Sequence, residues 1–208
     1  MTKRHAPPPR RSARSQPPRR VIRLLTEGRR TEVEYFAKWA AEFRGRITID
    51  FDHFHGTPLS LVERAADLVE QRRRSLRRRQ SDVAFDEIWC VFDRDEHPFV
   101  AEAIALAERN EIGVAFSNPC FELWFVLHAQ DLRRHTERGI VQDLSASHGF
   151  TTGKALAVES WDRLRSTWEP AETRGEALDA MHNDNGSPPR SNPSTTVRRL
   201  VRQLHETR

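Results

Sequence analysis

Several residue types are scarce in this 208-residue chain, which has two cysteines, two methionines, one tyrosine and three lysines among 34 basic residues. No run of about 18 apolar residues occurs, so no membrane-spanning helix is expected. The N-terminus is basic but lacks the apolar core of a signal peptide, and the chain is read as cytoplasmic. Cys90 and Cys120 each sit inside an apolar segment. They are read as buried, reduced small hydrophobes rather than a disulfide. The length suits one well-packed domain with room for a small appendage.

With lysine so rare, the positive charge is almost all arginine, and it is localised. Residues 1–20 carry seven basic side chains and no acid, and "APPPRRSARSQPPRR" has almost no large apolar group. Such a segment buries too little surface to offset chain entropy and is expected to be a disordered tail. Taking those seven from the 34 basic residues leaves 27 against 30 acidic, a net −3 for residues 21–208. Six more arginines lie in "QRRRSLRRRQ", residues 71–80, and without them the balance falls to −9. The body is acidic, with cationic material added in two places. Arg72, Arg73, Arg77 and Arg78 are candidates for holding a nucleic-acid backbone, because each neutralised phosphate releases counterions. An arginine-rich, merely solvated helix face is the competing reading.

From Val21 onward, extended and helical patterns alternate. Val21–Leu25 reads as a strand ended by Thr26-Glu27-Gly28. Val33, Phe36, Ala40 and Phe43 recur at helical spacing, with Thr31 placed to cap. Arg46 to Phe54 alternates as a second strand, and Pro58 opens a long helix with Leu59, Val62, Ala66 and Val69. Glu87–Phe92 is a third strand, Val100 to Ala107 a helix, and Ile112–Phe116 a fourth strand. "FELWFVLH", Phe121–His128, is apolar nearly all round and reads as a buried helix, with Trp124 and His128 as core residues. Beyond it only helical patterns appear, over about 132–147, 153–167, 172–181 and 195–206. The alternation over 21–130 implies a mostly parallel four-stranded sheet flanked by helices, a Rossmann-like α/β fold. Residues 131–208 form a helical C-terminal extension.

In such sheets function gathers at the carboxyl ends of the strands, and there the acids accumulate. "CVFDRDEHP" ends an apolar strand in Asp93-Arg94-Asp95-Glu96-His97. Residues i and i+2 at a strand end point the same way, bringing Asp93 and Asp95 together. If the first and third strands are neighbours, Glu27 joins them. Three ionised carboxylates so close repel unless a cation lies between them. Hard oxygen ligands suit Mg²⁺ or Mn²⁺. A solvated strand end, with Asp93 capping and Arg94 and His97 offsetting the charge, is the bland alternative.

"LLTEGRRTEVEYF", "DEIWCVFDRDEHP" and "AFSNPCFELWFVLH", in that order and followed by Asn192-Pro193-Ser194-Thr195, resemble the RloB-like family of bacterial proteins, itself similar to a divergent Toprim domain. The resemblance covers roughly Val21 to Leu204. It implies that Glu27 matches the Toprim glutamate and that Asp93 and Asp95 match its Asp-x-Asp pair. Such groups act with Mg²⁺ in cutting or joining phosphodiesters. RloB-like proteins occur with restriction and phage-defence genes, so the resemblance implies a nuclease effector of antiviral defence, one that kills or arrests the infected cell. The only tyrosine, Tyr35, falls inside a predicted helix, which argues against a topoisomerase and for hydrolysis.

Further candidates surround this set. Glu122, at the start of the buried helix, either accepts free backbone N–H groups or reaches a metal. Ser117 and Asn118 precede that helix start, a natural anion position, although plain capping explains them equally. Lys154 in "TTGKAL" and Arg94 are candidates for phosphate contact, and Lys154 for stabilising the transition state. His53 and His55 lie on the expected side, where turn structure accounts for them nearly as well. Glu32 and Glu34 fall in a helix's first turn, where acids are stabilising in any case. A rival reading is a non-catalytic sensor or adaptor that binds nucleotide or nucleic acid beside an ATPase partner. A nucleotide transferase is another. The expected partners are DNA or tRNA or another RNA, an ATPase, and further copies of the chain.

Overall fold

The computed structural model describes residues 19–79, 85–94 and 97–206. The basic tail up to residue 18 and Asp95 lie outside the described residues. A strand β1 (Arg20–Thr26) leads into helix α1 (Thr31–Glu42), β2 (Ile47–Phe51), α2 (Pro58–Arg77), β3 (Glu87–Asp93), α3 (Val100–Arg109), β4 (Gly113–Asn118) and α4 (Glu122–Ala129). Beyond them come α5 (Arg138–Ser147), a hairpin of β5 (Thr151–Thr152) and β6 (Ala155–Leu156), a 3₁₀ turn at Val158–Ser160, α6 (Trp161–Ser166), α7 (Trp168–Asp184), β7 (Ser194–Thr195) and α8 (Val197–Glu206).

The sheet order is β2-β1-β3-β4-β7. Its first four strands are parallel, as expected, and β1 and β3 are direct neighbours, with Leu24 opposite Trp89. Strand β7 adds a short antiparallel edge, pairing Ser117 with Thr195 and Asn118 with Ser194. Two residues are too few to show a period, so this fifth strand was not legible as one.

Helices cover both faces, which is why the strands read as continuous apolar runs. Leu25, Cys90, Phe92 and Phe116 face α2 and α3, packing with Leu61, Ala65, Ala103 and Ala107. Ile22, Leu24, Val91 and Ala115 face the other way, into a larger cluster with Phe36, Trp39, Trp124, Leu178, Val197 and Leu204. That cluster draws on α1, α4, α7 and α8, so the core runs across residue 130 without a break. Both cysteines are free and buried.

Four local expectations need correction. Thr31 does not cap α1: Arg30 holds the N-cap position, and the Thr31 hydroxyl donates to the carbonyl of Lys154 at 2.9 Å. The buried stripe of α1 is Glu32, Tyr35, Phe36 and Trp39 rather than Val33, Phe36 and Ala40, because the sheet meets the helix one residue round from the expected face. In α2 the buried positions are Leu61, Val62, Ala65 and Leu68. The predicted helix over 153–167 begins instead with a hairpin, because Gly153 takes φ +60° and supplies the two-residue turn with Lys154.

Helix α8 buries Val197, Leu200, Val201 and Leu204 in the same cluster as β1. Leu200→Ala should therefore destabilise the whole domain by about 2–5 kcal/mol. In urea, tryptophan fluorescence and far-UV circular dichroism should shift together as one transition. An early, separate loss of helix alone would mean that α8 is an independent appendage.

Candidate functional site

At the carboxyl edge, the pairing of β1 with β3 brings two sequence segments together. The Glu27 N–H donates to the Val91 carbonyl at 2.9 Å, continuing the ladder one residue beyond β1. Its side chain then leans over the end of β3, where Oε2 accepts the Asp93 N–H at 3.2 Å and Oε1 lies 3.3 Å from His97 Nε2. Glu122, in the first turn of α4, and Glu32, in the first turn of α1, complete an acidic wall. Together with Arg138, from the start of α5, and Lys154, from the hairpin turn, these four carboxylates line one pocket of about 360 Å³.

The pocket is electrostatically unbalanced. Burial, then the carboxylates of Glu122 and Glu27, push Glu32 up to about 7. Asp93 is held well above the usual carboxylate range by burial and by Glu32, against the opposing pull of Arg138. Arg138 lies 3.6 Å from Asp93 Oδ2, whereas the buried Asp93 Oδ1 has no hydrogen-bond partner. The Cys120 thiol hydrogen-bonds to Glu122, and burial holds that thiol well above its ordinary value. The Glu32 carboxylate lies against Gly28, and a Cβ there would stand 2.1 Å from Oε2 and push that carboxylate aside.

An orphaned buried carboxylate oxygen amid like-charged neighbours fits a hard divalent cation. Among the described residues no group of three His, Cys, Asp or Glu side chains already stands at ligand spacing. Glu27, Asp93 and Glu122, which line the same pocket, are the side chains that could hold such an ion. Asp95, the remaining expected ligand, lies outside the described residues.

The other candidates fall elsewhere. Ser117 is fully buried, with its hydroxyl 3.1 Å from that of Thr195. Asn118 donates to the Arg190 carbonyl at 2.8 Å. Both side chains are engaged near the β4–β7 junction rather than at an anion site, Ser117 by Thr195 of β7 and Asn118 by the loop carbonyl of Arg190. Arg94 follows Asp93 but points to the opposite side, into a separate groove with Ile104, Glu108 and Arg190. Arg72, Arg73, Arg77 and Arg78 lie near the far end of α2, at the opposite edge of the sheet, and cannot act at this pocket. His55 donates to the Thr26 carbonyl at 2.9 Å, and His53 is exposed. His128 is a core residue, hydrogen-bonded to Thr167 and pushed down to about 3 by burial. Tyr35 is fully buried, and its hydroxyl accepts the Trp124 indole N–H at 2.7 Å.

Glu32, which the sequence offers as a candidate behind its plain reading as a first-turn acid, lines the pocket. It has a sequence signal: it precedes Tyr35, Phe36 and Trp39 by three, four and seven residues, placing a carboxylate on the apolar stripe of α1. Arg138 is the pocket residue the sequence does not offer, since it lies in a polar stretch and reaches Asp93 only through the packing of α5.

A family model described as RloB-like protein matches residues 22–204. No curated protein and no solved structure matches the chain. No helix among the described residues is long and apolar enough to cross a membrane.

The raised proton affinity of Glu32 and Asp93 makes the cation-free protein sensitive to pH. For an acid whose folded value lies above its unfolded one, the folded state binds more protons, and stability falls as pH rises. The contribution of Glu32 is complete below about 4.5 and lost as pH climbs through about 7. Melting in EDTA should therefore occur on the order of 5 °C lower at pH 8 than at pH 5.5, a slope that Glu32→Gln flattens. Mg²⁺ or Mn²⁺ should raise the melting temperature more at pH 8 than at pH 5.5. Equal gains at both values would mean that these carboxylates do not hold the ion.

Proposed function

The chain belongs to the RloB-like family, and from that premise and the acidic pocket we propose that it is a divalent-cation-dependent nuclease hydrolysing phosphodiesters of DNA or RNA. The observation that carries this reading is the convergence of Glu27, Glu32, Asp93 and Glu122 on one pocket beside Arg138 and Lys154, with Asp93 Oδ1 unpartnered. In the manner of the Toprim domains that the sequence resembles, Glu27 and Asp93, with Glu122 beside them and Asp95 two residues on in sequence, would hold Mg²⁺ or Mn²⁺. When bound, such an ion neutralises the carboxylates and polarises a phosphoryl oxygen.

The protein groups have distinct tasks. Glu27 is anchored by the Asp93 N–H and His97, so its carboxylate is held over the end of β3. Arg138 and Lys154 supply positive charge to the same pocket, where a guanidinium and an ammonium can receive the non-bridging oxygens of a phosphodiester. Glu32, poised near neutral pH, can take or return a proton at its carboxylate. The raised values of Glu32 and Asp93 follow first from burial in the pocket wall, where charge interactions are stronger than in water. A role in defence against phage, alongside an ATPase partner, rests on the family resemblance, as does the rival of a sensor that binds without cutting.

The test is cleavage of labelled plasmid DNA and total tRNA with Mg²⁺, Mn²⁺ or EDTA. Cutting should require the ion and fall on the order of 10²–10³-fold in Asp93→Asn and Glu27→Gln, and comparably in Arg138→Gln. If the wild type binds the ion by calorimetry yet cuts neither polymer, with or without an ATPase partner, the sensor reading replaces the nuclease.

A further inference from the structure

Helix α2 leaves the carboxyl edge at Pro58, runs back along the sheet and continues past it. Its 20 residues span about 30 Å, whereas the seven residues of β1 span about 23 Å. The last buried residue of α2 is Leu68, and from Gln71 onward the helix buries nothing, even Leu76 being 62 % exposed. Its surroundings place this end at the amino edge of the sheet. Arg73 lies 3.7 Å from Glu111, two residues before β4, and the Arg72 guanidinium sits 5.3 Å from the centre of the Phe85 ring, two residues before β3.

These turns combine features that packing alone does not explain. Arg73 and Arg77, and Arg74 and Arg78, are like charges four residues apart on a helix, each pair costing about 0.2–0.5 kcal/mol. Glu70 pairs with Arg74 at 2.8 Å, but among the described residues no acid pairs with Arg77, Arg78 or Arg79. The chain also enters β1 at this edge, at Arg20, directly after Arg19. The arginine end of α2 thus lies on the side of the sheet away from the acidic pocket.

We infer that the projecting arginine end of α2 is an anchoring site for the phosphate backbone of a nucleic acid, separate from the acidic pocket. Beyond the contacts of Arg72 with Phe85, Arg73 with Glu111 and Arg74 with Glu70, the helix presents its guanidinium groups as an exposed ridge, and phosphates would relieve the repulsion within it. The site acts by charge and without base readout, because an exposed arginine ridge contacts phosphates without holding base edges. The inference stands apart from the nuclease reading, since it concerns binding and is tested without divalent ions.

The experiment is fluorescence anisotropy of the full chain with a labelled 30-base-pair duplex in EDTA, across a salt series. The fourfold variant R73Q/R74Q/R77Q/R78Q is compared with a charge-matched control, R44Q/R133Q/R134Q/R199Q. Circular dichroism verifies that both are folded. The arginine-end variant should bind at least tenfold more weakly at 100 mM salt. The slope of log K against log salt should become shallower by about 3–4, close to one per phosphate contact, while the control keeps the wild-type slope. An unchanged slope in the arginine-end variant overturns the inference, as does an equal loss in the control. Binding of the wild type to phosphatidylserine vesicles with none to the duplex overturns it in favour of a membrane surface.

Discussion

Carboxylates that share a buried pocket cannot all remain ionised without a compensating cation, and that constraint organises the carboxyl edge of this molecule. Glu27, Glu32, Asp93 and Glu122 come from the ends of two strands and the starts of two helices, and the protein supplies Arg138 and Lys154 to the same pocket. The balance falls short. Asp93 and Glu32 answer by holding protons more tightly than exposed acids do, and one oxygen of Asp93 is left without a partner. Such an arrangement costs stability unless further positive charge shares it, as the proposed hard cation would.

The remainder of the fold serves to hold those acids in place. Parallel pairing of β1 with β3 sets Glu27 beside Asp93 through backbone hydrogen bonds, with no reliance on side-chain packing. Helices α1 and α4 deliver Glu32 and Glu122 from a face crowded with aromatic rings, where Tyr35, Phe36, Phe121 and Phe125 meet edge to face. Rigid rings on both helices fix where the two carboxylates can sit. The C-terminal elements are part of this support. Strand β7 pairs with the end of β4, and α8 reaches α7 through the partly buried Arg198–Asp179 ion pair.

Charge is divided between the two edges of the sheet. The acidic pocket occupies the carboxyl edge, and the arginine end of α2 projects from the amino edge. On the proposed reading, a long polyanion is gripped by charge at one edge, while the acidic pocket at the other keeps Arg138 and Lys154 as its own cations. Summing the whole chain to a net charge of +4 conceals this polarity, because opposite charges at opposite ends cancel in the total and not in space.

Local pattern alone determined much of the architecture. Apolar runs ended by turn residues marked β1 to β4, helical spacing marked α1 to α4, and their alternation implied the parallel sheet. That in turn predicted acids at the carboxyl ends of neighbouring strands, and Glu27 and Asp93 meet there. The buried cysteines, Tyr35, Trp124 and His128 were legible from their apolar neighbours. Tertiary structure alone decided what depends on contacts between distant segments. Glu32 joins the site because the sheet meets α1 along one stripe rather than the adjacent one, a difference of one residue that periodicity does not resolve. Arg138 reaches Asp93 across 45 positions of sequence through the packing of α5. Ser117 is withdrawn from the site by a two-residue strand 78 positions away. The arginines of α2 are far from the carboxylates because a 20-residue helix outruns the strands it covers. Spacing along a chain reports which residues share a face, and only packing reports what that face meets.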